Sequence, residues 1–92
     1  MDLITRHAQA RMQQRGISAA TLDALLDFGR TVRAGGGCEI VFFDRKARAR
    51  LARAGVIPPS EADRIHKSYA IVESDGAVIT VGHRYRRIAR DR

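Results

Sequence analysis

Three side chains near the start of the chain have the types and spacing of a phosphate site. His7, Arg11 and Arg15 recur every four residues, so on a helix they form one stripe. At about 100° per residue, that stripe lies roughly 60° from an apolar one made of Ile4, Ala8 and Met12. The apolar stripe faces a core and the His/Arg stripe lies at its edge, partly shielded from water yet reachable by a ligand. An imidazole there takes or gives a proton near neutral pH, and two guanidiniums grip phosphate oxygens. The plainer reading is a solvated flank whose cations pair with nearby carboxylates.

A second dense mixture of polar groups lies at the other end of the sequence. Thr80, His83, Arg84, Tyr85 and Arg86 crowd the C-terminal half of an apolar strand signal that begins near Ala77. In a regular strand Thr80, Gly82, Arg84 and Arg86 point one way, and Ile79, Val81, His83 and Tyr85 the other. A bulge at Gly82 reverses that parity beyond it, so the side taken by His83 stays open. A surface histidine at a strand end is the plain alternative. If both ends line one concave surface, His7 and His83 supply the two proton-transfer groups of metal-independent RNA cleavage, in an order left open. Arg11 and Thr80 then complete a catalytic set, and Arg15 and Arg84 hold the phosphate.

The remaining cations concentrate in one segment. Arg45, Lys46, Arg48, Arg50 and Arg53 fall within a predicted helix that carries no acid. Arg45 and Arg48 are candidate phosphate contacts, as is Arg86 in the tail. The net charge is +7 and is carried by arginine, since Lys46 and Lys67 are the only lysines. Such a chain fits RNA, another nucleic acid or an acidic protein as partner. Biased codon usage is the competing source of arginine.

Composition excludes several classes. With 92 residues and a hydrophobic fraction of 45%, the chain makes one globular domain, residues 1–92. Cys38 stands alone, which fits a reducing, cytoplasmic compartment. The histidines and Cys38 have no paired-ligand spacing, so neither a metal site nor a cofactor is expected. No run approaches membrane-spanning length. The triple glycine at 35–37 lacks the Lys-Ser/Thr of a phosphate loop and reads as a turn.

The elements that must position these groups follow from local signals. A helix from about Leu3 to Arg15 stops at Gly16, and Ser18 caps a second one over 19–28. Strands are expected over 30–34 and 38–43, joined by the glycine turn. Asp44 caps the basic helix over 45–54, and Gly55 stops it. The Val56-Ile57-Pro58-Pro59 stretch is extended, and Ser60 opens a short helix to about Ile65. Strands over 67–73 and 77–85 flank the Asp75-Gly76 turn. The order is α-α-β-β-α-β-β, an α+β fold with an antiparallel sheet of about four strands and helices on one face.

His7-Ala8-x-x-Arg11-Met12-x-x-Arg15-Gly16-Ile17-Ser18 resembles the opening signature of the bacterial domain of unknown function 4258 family. Asp75-Gly76-x-Val78-Ile79-Thr80-Val81-Gly82-His83-Arg84 is similar to that family's final hairpin. The resemblance runs from about Thr5 to Arg87, and the arginine-rich middle is its least distinctive part. The layout is similar to small endoribonuclease toxins of the barnase, colicin and RelE type. There, residues from a helix and from the sheet hold the scissile phosphate. That likeness implies a ribonuclease toxin with an acidic antitoxin partner. The alternative is a non-catalytic module that binds nucleic acid or an acidic protein.

Overall fold

The computed structural model describes residues 3–84. Within them the order is α1 (Arg6–Arg15), α2 (Ala19–Phe28), β1 (Arg30–Gly35), β2 (Cys38–Phe42), α3 (Arg45–Ala54), α4 (Pro59–Ile65), β3 (Ser68–Glu73) and β4 (Val78–His83). The fold is α+β, in the order the local signals predict. The four strands pair in sequence order, every pair antiparallel. β2 and β3 are neighbours although α3 and α4 intervene between them in the chain.

Local chemistry sets the boundaries. Ser18 Oγ accepts from the Thr21 N–H at 3.1 Å, and Asp44 Oδ1 accepts from the Ala47 N–H at 2.8 Å. Each side chain thereby satisfies a donor that the first helical turn leaves without a partner. The glycines of the β1–β2 turn have φ values of 85°, 60° and 76°. Side-chain-bearing residues rarely adopt that region, so glycine is what this turn requires.

Strand alternation gives the sheet two different faces. Ser68, Ala70 and Val72 are buried on one face, opposite His83, Val81 and Val78. This face carries the main core, in which Val41, Phe43, Ala70 and Val81 meet Ala8, Leu22 and Leu25 of the first two helices. α1 lies against β4, and α2 against β2 and β3. α3 joins that core through Ala47 and Leu51. The other face has its own apolar row. Val32 and Phe42 are buried there outside the main core, beside the half-buried Ile40, Tyr69 and Ile71.

Several boundaries differ from expectation, most of them by one residue, and three are instructive. The first helix begins at Arg6 because the residues before it are tied to β4: Ile4 makes an isolated parallel bridge to Val78, and Thr5, in extended conformation, is the cap. α4 begins at Pro59, with Pro58 as an N-cap that makes no side-chain bond. A proline at the first helical position loses nothing, since its missing N–H has no helical partner there. β4 ends at His83, and Tyr85 lies outside the described residues.

Candidate functional site

Thr5 joins the two ends of the sequence. Its N–H donates to the Val78 carbonyl at 3.1 Å, and the Val78 N–H donates to the Leu3 carbonyl at 2.7 Å. The Thr5 hydroxyl accepts from the Ala8 N–H at 3.1 Å and donates to the Ile79 carbonyl at 3.4 Å. One side chain therefore caps α1 and fastens it to β4.

That double anchorage depends on an irregularity in β4. Ile71 pairs with Thr80 while Val72 pairs with Val78, so Ile79 is an extra residue in the ladder. In a regular strand consecutive carbonyls point to opposite edges. The bulge lets Val78 and Ile79, adjacent in sequence, both offer their carbonyls to Thr5.

Packing sorts the side chains of α1. Ala8 is fully buried, Arg11 and Met12 are half-buried, and His7 and Arg15 are exposed. His7, Arg11 and Arg15 thus form a stripe on one helix, at the edge of its buried face. Gly16, at φ 64°, ends the helix, with the Ile17 N–H returned to the Met12 carbonyl at 2.9 Å.

The groups on β4 divide between the two faces. The ladder is regular from Thr80 to His83, so alternation holds across Gly82. His83 is half-buried on the helix-bearing face, opposite the buried Ser68. Thr80 is half-buried on the other face, opposite Ile71. The expectation that the whole Thr80-to-Arg84 segment lines one surface with His7 and Arg11 is corrected here. The bulge lies at Ile79, before Thr80, and not at Gly82, so Thr80 and His83 point to opposite sides. The structure places His83, but not Thr80, on the face against which α1 packs.

Arg84 sits on the Thr80 side with a structural task. Its guanidinium donates to the Phe43 carbonyl at 2.7 Å, and its Cζ lies 5.3 Å from the Phe42 ring centroid. The Arg84 N–H donates to the Lys67 carbonyl at 2.7 Å. The side chain thus spans from the end of β4 across β3 to β2. Arg86, the last sequence-predicted contact, lies outside the described residues.

A row of rings and guanidiniums on this outer face was missed by sequence reasoning. Register places Arg30, Phe42, Tyr69 and Gly82 side by side across the four strands. A Cβ at position 82 would lie 3.0 Å from Tyr69 Oη and 3.1 Å from its Cε1 and Cζ. Gly82 is there so that the Tyr69 ring can lie flat on the sheet. A glycine facing an aromatic across an antiparallel pair is the signal that would have found it. Arg30 closes the row with an ion pair to the buried Asp44 at 3.5 Å.

Arg45 and Arg48 are exposed on α3, which packs chiefly against α2 and α4. They line a groove of about 400 Å³ between α3 and α4. A second groove, about 520 Å³ and largely apolar, runs along α1 beside Gln9, Met12 and Gln13. It lies on the flank of the helix away from His7 and Arg11. No helix among the described residues is long and apolar enough to cross a membrane.

The family model described as Domain of unknown function (DUF4258) matches residues 4–83. That span covers both motif-bearing ends and the sheet between them, and the chain belongs to this family. Comparisons with curated proteins and with solved structures give no match.

Proposed function

We propose that this member of the DUF4258 family acts on RNA, as a small metal-independent endoribonuclease whose working surface is the α1–β4 junction. The observation that carries the reading is the fastening of α1 to β4 through Thr5, Val78 and Ile79. It holds the start of a helix bearing His7 and Arg11 against the start of β4, whose far end carries His83 on the same face. In this scheme one imidazole takes the proton of a 2′-hydroxyl, whose oxygen then attacks phosphorus. The other imidazole gives a proton to the departing 5′-oxygen, leaving a 2′,3′-cyclic phosphate. Arg11 and Arg15 offset the charge that builds on the phosphorane oxygens. Thr80 and Arg84, on the other face of the sheet, have no part in this scheme.

The test is incubation of the pure protein with end-labelled RNA, with and without EDTA. Cleavage that survives EDTA and ends in cyclic phosphate is the expected result. His7→Ala and His83→Ala should each lower the rate by roughly 10²-fold or more while leaving the circular dichroism spectrum unchanged. Full activity in either variant removes that histidine from the scheme. A non-catalytic binding module is the competing reading, and it gains from the loss of the Thr80 hydroxyl from the scheme. RNA bound but left intact in the same assay would select it.

A further inference from the structure

The groove between α3 and α4 has features that RNA binding does not explain. One wall is the α3 flank bearing Arg45, Arg48 and Ala52, and the other is α4 with Pro59, Ala62 and Asp63. Its lining mixes alanine methyls, the proline ring and the edge of Leu51 with the polar groups of Arg45, Arg48 and Asp63. Where the two walls join, Val56 leaves 63% of its surface in water. Cations stand at the rim. Among the described residues, neither Arg45, Lys46, Arg48 nor Arg53 takes part in an ion pair. α3 carries no acid in its first turn to offset them. The flank of α3 turned to α2 is differently used, since Arg50 donates to the Phe28 carbonyl at 3.0 Å. On the α4 side and the outer surface the guanidiniums make no ion pair among the described residues, and Asp63 is the one carboxylate in the groove lining.

From these features we infer that the α3–α4 groove is the docking site for an acidic amphipathic helix of a protein partner. Carboxylates on that helix meet Arg45 and Arg48 at the rim, and a stripe of small or medium aliphatic side chains settles on the alanine methyls. Phosphate backbones need the cations but gain nothing from alanine methyls and a proline ring. A peptide helix needs both, because the apolar part of the lining supplies contact area and the rim selects the charge. Short side chains at positions 49, 52 and 62 allow an incoming helix to approach closely. The inference reassigns Arg45 and Arg48 from nucleic acid to protein, and it stands whether or not the α1–β4 junction cleaves RNA.

The probe is a synthetic, terminally blocked helical peptide of about 16 residues, long enough to populate the helix. Leucine and alanine form one stripe and glutamate fills the rest. A second peptide has the same composition with the stripe scrambled, and a third replaces glutamate by lysine. Fluorescence anisotropy should show the first peptide binding the full chain at least about 10-fold tighter than the scrambled one, with the lysine peptide not binding. Arg45→Glu/Arg48→Glu should abolish the difference. Ala52→Trp, which fills the groove and keeps the rim charge, should weaken the first peptide alone. Amide shifts on titration should concentrate over residues 45–63.

Equal affinity for the ordered and scrambled peptides would overturn the inference, as would shifts centred elsewhere. A third overturning result is a 16-nucleotide single-stranded RNA that competes for the same amides and is lost in Arg45→Glu/Arg48→Glu but kept in Ala52→Trp. That outcome returns the groove to nucleic acid as an electrostatic surface. Circular dichroism of each variant separates these results from loss of fold.

Discussion

Helices α1 and α3 are each ten residues long, capped by a side-chain oxygen and rich in cations, yet they use charge in opposite ways. α1 gathers His7, Arg11 and Arg15 on a single flank and is fastened to β4 through Thr5. α3 spreads Arg45, Lys46, Arg48, Arg50 and Arg53 around most of its circumference. It is held by Ala47, Leu51, the buried Asp44 cap and the Arg50 bond to α2. A stripe beside a packed strand puts functional groups at a fixed place relative to a second element. Charge spread around an exposed helix makes a field with one grooved side. Similar compositions thus give a one-sided stripe in one case and a broad positive surface beside a groove in the other.

Several experiments break or sharpen that contrast. The largest effect is expected at the anchor of α3. Leu51 is 2% exposed, and Leu51→Ala should cost about 3 kcal/mol in urea unfolding, the usual scale for a buried leucine truncation. If α3 were merely appended, the loss would stay under about 1 kcal/mol. Next comes the joint of α1. Thr5→Val keeps the shape and removes both hydroxyl bonds, so about 1–2 kcal/mol should be lost. Native-state hydrogen exchange should show the Ala8 amide losing protection while amides in α3 keep theirs. Uniform loss across the molecule would mean that the helices do not respond separately.

The outer face gives a smaller effect with a sharper diagnosis. Gly82→Ala forces the Tyr69 ring to shift and should destabilise by about 1 kcal/mol. In Tyr69→Ala the same substitution should be close to neutral, a coupling that a double-mutant cycle reads directly. Equal costs in both backgrounds would show that the ring does not explain the glycine. The smallest effect tests the field on α3. Lys46→Glu puts an acid in the first helical turn, four residues before Arg50. It should stabilise by about 0.5 kcal/mol at low ionic strength. Molar salt should erase that gain. A gain independent of salt would point to helix propensity instead of charge.

Much of this architecture can be read locally. Gly16, Ser18, Asp44 and Gly55 mark helix ends because caps and stops act within a few residues of themselves. The triple glycine and the Asp75-Gly76 pair mark their turns for the same reason. Thr5 was passed over because its partners are Val78 and Ile79, and nothing near it in sequence announces them. The bulge at Ile79 is equally silent, since it appears only in the register against β3. Gly82 attracted attention as an irregular residue, but its cause is the Tyr69 ring on another strand. Of the proposed site, the α1 stripe was legible from its four-residue spacing. The orientations of Thr80 and His83 were not, because each hangs on where one extra residue enters the ladder.

The Thr5 to Ile79 bond closes a separation of 74 residues, and that span carries a timing consequence. Closing so long a loop adds little to the equilibrium cost, because the entropy rises only with the logarithm of length. It matters for order of assembly. A chain emerging from the ribosome makes α1 first, but the strand that fixes it is the last of the described elements to be made. Until β4 is in place, His7 and Arg11 ride on a ten-residue helix too short to hold itself together in water. A nascent chain therefore carries His7 and Arg11 in an unassembled state until β4 has been made. Whatever surface the α1–β4 junction presents comes into being only once β4 has formed.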